Sequence, residues 1–171
     1  MAGSLVLIQE TTLTTPTASV VLTGIDSTYN VYMVKISNVQ PVTDNKNIQM
    51  RVTKSGTAQS DSEYDFASKQ LFASTSFVDN GQVNQTSFID LYIGNNTGEM
   101  ANGLMYLYNF NNSSEFSFVT REQVSLSHVA QAQGVMGGGV HTVASASDGV
   151  NFHVHDNSNI TSGTFTLYKV I

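Results

Sequence analysis

In Asn47–Thr53 the side chains of Ile48, Met50 and Val52 project one way and those of Asn47, Gln49, Arg51 and Thr53 the other. A two-residue period of this kind belongs to a β-strand, because the apolar face of a helix returns only about every 3.6 residues. The same alternation runs through Gly103–Phe110, where Leu104, Tyr106, Tyr108 and Phe110 oppose Met105, Leu107 and Asn109. It recurs in Gly149–His155, where Val150, Phe152 and Val154 oppose Asn151, His153 and His155. Ser4–Gln9, Ser19–Ile25, Val31–Val39, Ser87–Ile93, Glu115–Val124, Ala130–Val143 and Thr164–Val170 complete about ten candidate strands, rich in Val, Ile, Thr, Tyr and Phe. Residues that tolerate left-handed backbone or bond their own main chain fall between them: Asp26-Ser27, Asp44-Asn45, Ser55-Gly56, Asp79-Asn80-Gly81, Asn95-Asn96, Asn111-Asn112 and Asp156-Asn157. Only Glu63–Ser74 has room for a helical turn or two. The pattern predicts an all-β, antiparallel, jelly-roll-like β-sandwich rather than βαβ units.

No linker, composition step or fixed repeat divides residues 1–171, so one domain is expected. Heptads and Gly-X-Y triplets are missing too, which removes a fibre shaft. Ser, Thr, Asn and Gln supply 63 of the 171 residues, so uncharged hydrogen-bonding groups take the exterior that Lys and Glu usually occupy. Seven Lys and Arg against thirteen Asp and Glu leave too few cations for a nucleic-acid footprint. No apolar run approaches the ~20 residues of a membrane helix, and Met1–Gln9 lack the basic start of a secretory signal. With no cysteine there is neither a thiol nucleophile nor a cysteine-held zinc.

The chemistry-bearing residues are few. His153 and His155 share one face of a predicted strand, a spacing that can chelate zinc or iron. Asn157, Ser158, Asn159 and Ile160 follow, however, where a carboxylate ligand would be needed. Exposed histidines are therefore expected, with a metal only if His141 converges on the pair. His128 continues the face of Val124, Leu126 and Ala130 and is expected in or near the core. Gly137-Gly138-Gly139 precede no lysine, so they suit a bulge or a close backbone approach rather than a phosphate loop. Asp61, Glu63 and Asp65 read as a solvated loop, since sequence neighbours seldom form a glycosidase pair. No Gly-x-Ser-x-Gly elbow or His-Glu-x-x-His helix occurs. Catalytic, cofactor and metal residues are accordingly not assigned.

Three stretches carry a resemblance. They are Leu22–Tyr32 with Asn38–Asn45 and Met50-Arg51-Val52, then Gly103–Asn111, then Gly137–Val140 with Asp148–Phe152 and Asn159–Tyr168, closing on Gly163-Thr164-Phe165-Thr166-Leu167-Tyr168. Over nearly the whole chain these resemble small virion structural proteins of tailed bacteriophages, notably of marine cyanobacterial phages. His153, His155 and the terminal Lys169-Val170-Ile171 depart from that pattern. The resemblance implies a non-enzymatic virion component without cofactor, as head decoration or a compact appendage on the particle exterior. Its partners would be other virion proteins and further copies of itself, a trimer being one form. The alternative is a receptor- or glycan-binding fibre head, using loop aromatics beside carboxylates. Tyr64, Phe66, Phe72, Phe77, Met100 and Met136 are the candidate contact residues.

Overall fold

Alternation becomes architecture once the apolar faces meet. The computed structural model describes residues 4–171, through the backbone alone at 89–91, and contains no helix among them. Its strands are β1 (Leu5–Thr12), β2 (Ser19–Thr23), β3 (Val31–Pro41), β4 (Lys46–Lys54), β5 (Thr57–Ala58), β6 (Tyr64–Phe72) and β7 (Phe77–Gln85), followed by β8 (Phe88–Ile93), β9 (Ala101–Tyr108), β10 (Ser117–Leu126), β11 (Ala132–His141), β12 (Gly149–Val154) and β13 (Ile160–Val170). One sheet runs β1-β13-β3-β9-β10-β11-β6-β7 and the other β2-β12-β4-β5, with β8 also on β4. Every pairing is antiparallel. The β-sandwich is established by this order; the jelly-roll connectivity is not. The start of the chain read for a signal, Met1–Gly3, lies outside the described residues.

The core is the seam between the sheets. Val150, Phe152 and Val154 of β12 join Ile48, Met50 and Val52 of β4 and meet Val34 and Ile36 of β3, Met105 and Leu107 of β9, and Phe165 and Leu167 of β13. Phe152 and Phe165 lie 5.1 Å apart between ring centres, one ring from each sheet. Tyr64 meets Phe88 edge-on at 5.0 Å. Each such side chain contributes roughly 1.5–3 kcal/mol by leaving water.

The structure corrects several expectations. The described residues form thirteen strands rather than about ten. The segment given room for a helical turn, Glu63–Ser74, is mostly β6, and Asp79-Asn80-Gly81, expected to reverse the chain, lies in the middle of β7. The reversal falls instead at Thr75, whose φ is 65°. Phe110 leaves the face of Leu104 and Tyr106 and enters the core, because Asn109 takes a φ of 60°. The glycine run makes no bulge, since β11 keeps register with both neighbours. It does admit close approach: a Cβ on Gly139 would stand 2.6 Å from the Phe88 ring.

Candidate docking surface

In an antiparallel sheet, directly paired residues share a face, so the ladders spell out what the eight-stranded sheet shows on its outer side. One row reads Leu7, Tyr168, Met33, Tyr106, Thr120, Gly138, Ala67 and Gly81. It passes from large apolar groups to almost none, a ridge falling into a trough. The row beside it carries Val31, Tyr108, Phe118, Val140 and Asp65. On the other side a charged row runs Lys35, Leu104, Glu122, Met136, Lys69 and Asp79. Beyond it come Asn102, Val124, Gly134, Leu71 and Phe77.

Much of this face is open to water: Phe118 is 45% exposed, Met136 54% and Val124 56%. Two open grooves cross it. One of about 710 Å³ is floored by Ala67, Gly81 and Gly138 and walled by Val83, Phe118 and Val140. The other, about 570 Å³, lies among Leu71, Leu104, Val124, Gly134 and Met136, with Lys35 and Glu122 at its rim. Exposed apolar groups on both sides of a charged row suit a protein-protein contact: burial drives it, and the charges set register.

The residues singled out from the sequence divide. Met136 and Phe77 belong to this face, Phe77 being 64% exposed. Met100 and Phe72 are half-buried at its margin. Tyr64 and Phe66 are not contact residues, being 0% and 5% exposed. The Tyr64 hydroxyl donates to the Gln59 carbonyl at 2.8 Å and accepts from the Val52 amide at 3.2 Å, and burial pushes its pKa up. Phe66 lies under the Arg121 guanidinium, 5.7 Å from the ring centre. Leu104, Tyr106, Phe118 and Val124 went unnoticed. The signal was present in Gly103–Phe110, where both faces of one strand are apolar although a sandwich buries only one.

The histidines do not converge. His141 ends β11 on the larger sheet, buried against Tyr64, with its Nε2 3.3 Å from a Glu63 carboxylate oxygen. Loss of hydration holds its pKa below the ordinary value, against the pull of Glu63. His153 is on β12 of the smaller sheet and is buried, contrary to the expected exposure. Neither of its ring nitrogens has a hydrogen-bond partner. Burial, with Arg51 and His155 nearby, brings its pKa down to about 4. His155 is exposed and meets the Gln49 amide at 2.9 Å through Nδ1. His128, expected near the core, is exposed in the turn after β10. Of the carboxylates read as a loop, Asp65 is in β6 and accepts the Asn84 amide at 2.8 Å. Among the described residues no group of three or more His, Asp or Glu side chains is placed to hold a metal ion.

One smaller concavity differs in chemistry. A cup of about 260 Å³ between β2 and β3 on one side and the end of β9 on the other is lined by Ser27, Tyr29, Asn30, Asn109, Asn111, Asn112 and Ser113. Asn111 is committed to the Ile25 carbonyl at 3.1 Å, and Lys169 lies 4.7 Å over the Tyr29 ring.

Compared with known protein families and with curated proteins, the sequence matches none. Among the described residues no helix is long and apolar enough to cross a membrane.

Proposed function

We propose that this protein is a non-enzymatic structural component of a bacteriophage particle, displayed on its exterior and working through protein-protein contacts. The observation that carries the reading is the outer face of the eight-stranded sheet, where ridge, trough and charged row present a surface built for docking. The resemblance over Leu22–Tyr32, Asn38–Asn45, Met50–Val52, Gly103–Asn111, Gly137–Val140, Asp148–Phe152 and Asn159–Tyr168 supports placing that surface on a virion. The partners are other particle proteins and further copies of the chain.

The test is direct. Particles of the phage that encodes the chain are purified and their proteins identified, and the subunit is located in a particle reconstruction. A companion variant, Phe118→Lys with Met136→Lys, changes two exposed side chains and should fold normally yet fail to join particles. Finding the protein only in the cytosol of infected cells would overturn the reading.

A second reading, the receptor- or glycan-binding head, is favoured by the cup at Tyr29. Amides of Asn30 and Asn109 beside the Tyr29 ring, which Lys169 also contacts, offer the donors and acceptors that a sugar uses. It moves the binding site away from Tyr64 and Phe66, which are buried. Glycan-array binding that Asn30→Ala and Asn109→Ala abolish would favour it, and no binding across host glycans would dispose of it.

A further inference from the structure

Among the described residues, strand β7 is a nine-residue edge of the sandwich left without protection. It is hydrogen-bonded only to β6, so the main-chain groups along its other side face water. Its inward side chains find no second sheet to cover them: Val78 is 46% exposed, and Gln82 is exposed too. Outward, Phe77 and Val83 are among the most exposed apolar residues of the chain, at 64% and 63%. Soluble proteins blunt such edges with lysine, proline, a bulge, a very short strand or a covering segment. The other edges do this. Gln9 of β1 reaches β2, donating to the Val21 carbonyl at 3.2 Å and accepting the Thr23 amide at 2.8 Å. Strand β5 is two residues long, and β8 joins β4 with a register shift. By contrast β7 has no proline or lysine, and its single charge, Asp79, is already paired with Lys69 at 2.7 Å. Its one irregularity lies between Gln82 and Gln85, where Asn84 has a φ of 56°, and leaves Phe77–Gln82 in regular register with β6.

With Val83, the first residue past it, that regular segment is complementary to itself. Laid antiparallel against a second copy with Asn80 opposite Asn80, it sets Phe77 against the partner's Val83 at both ends. Val78 then faces the partner's Gln82, and Asp79 faces the partner's Gly81. No like charges oppose one another, and a two-fold axis makes each apolar pair twice.

We propose that two copies of this chain join through β7, antiparallel about Asn80, so that the eight-stranded sheet runs on into its neighbour. The occupant of the edge is a second copy because its ends match each other in apolar character, its axis residue Asn80 is uncharged, and its one charge, Asp79, is paired with Lys69 and faces the partner's glycine. The outer faces of both copies, with their grooves of about 710 Å³ beside β7, then lie on one side of a continuous surface. This inference does not depend on the particle reading and can fail or succeed without it.

The chain has no cysteine, so an introduced thiol reports without background. Asn80→Cys puts two sulfurs across the axis, at strand-pair spacing within disulfide reach. Gly81→Cys has ordinary room for its Cβ, with the Phe66 carbonyl at 3.6 Å, but places the two Cα atoms about 8 Å apart, too far to bridge. The expected result is a wild-type dimer by sedimentation, a cross-linked dimer for Asn80→Cys under mild oxidation, and none for Gly81→Cys. Val78→Lys with Val83→Lys should give a monomer with unchanged β-sheet circular dichroism and melting. A monomeric or trimeric wild type would overturn the proposal. So would cross-linking at position 81 and not 80, or a dimer that survives the lysine pair.

Discussion

Acidification below the ordinary histidine pKa should weaken the fold, and His153 should account for much of the loss. In the folded chain its imidazole is buried on β12 without a hydrogen-bond partner, close to Arg51 and His155, and its pKa falls from 6.5 to about 4. The unfolded chain leaves the ring at its ordinary value. Between these values the unfolded state binds a proton that the folded state refuses, so stability is complete above pH ~6.5 and declines until about pH 4. At about 1.4 kcal/mol per pH unit the difference amounts to roughly 3 kcal/mol. His141, also held below its ordinary pKa by burial, acts in the same direction. The lowered pKa values of Asp26 and Asp156 start from 3.8, so their contributions fall outside this window. Urea denaturation at closely spaced pH values, for wild type and His153→Gln, measures the effect. The variant should lose less stability than wild type across the window, by roughly the 3 kcal/mol that the proton linkage supplies. Parallel curves for the two proteins would refute the reasoning.

Three further outcomes follow from packing. Gly139→Ala drives a methyl toward Phe88 and the Asp65 carbonyl, which would stand at 2.6 and 2.7 Å, and should cost about 1–3 kcal/mol in urea denaturation. Phe152→Ala empties the centre of the seam opposite Phe165 and should cost about 3–5 kcal/mol, read by the same titration. Tyr64→Phe strips the hydroxyl between Gln59 and Val52 and should cost about 1–3 kcal/mol, with a lower thermal midpoint and unchanged circular dichroism at room temperature.

The strands legible in the sequence are those that carry one dry face. Ile48, Met50 and Val52, or Val150, Phe152 and Val154, alternate because one face of each strand lines the apolar seam while the other carries polar side chains. The second layer of meaning in those strands was hidden, since Asn47, Gln49, Asn151 and His153 are buried on the opposite side although they are polar. Strands β6 and β7 were missed for the converse reason. In β6 the inward positions pass from Tyr64 and Phe66 to Ser68 and Gln70 as the strand moves away from the smaller sheet, so alternation fades. In β7 there is no dry face at all, and Asp79-Asn80-Gly81 advertises a turn that the chain makes five residues earlier. Contact residues picked as loop aromatics failed at Tyr64 and Phe66 because those positions belong to a strand over the core. The docking face itself needed the ladders, since it is assembled from residues as distant as Leu7 and Tyr168.

The unequal widths of the sheets explain why docking surface and open edge occur together. Strands β5 and β8 share the same side of β4, because β12 occupies the other, so the five-stranded sheet stands only four abreast. At about 4.8 Å per strand, the larger sheet spans roughly 34 Å and the smaller roughly 14 Å. Twist lets β8 cross beneath β10, β11 and β6, but β7 has no such partner. A layer that wide has more apolar surface than its own chain covers: its inner face is satisfied over the seam, while its outer face and its last strand are not. Closing the sheet into a barrel would have hidden both. Leaving it open, with glycines flattening the trough at Gly81 and Gly138, keeps apolar area and main-chain hydrogen-bonding groups exposed.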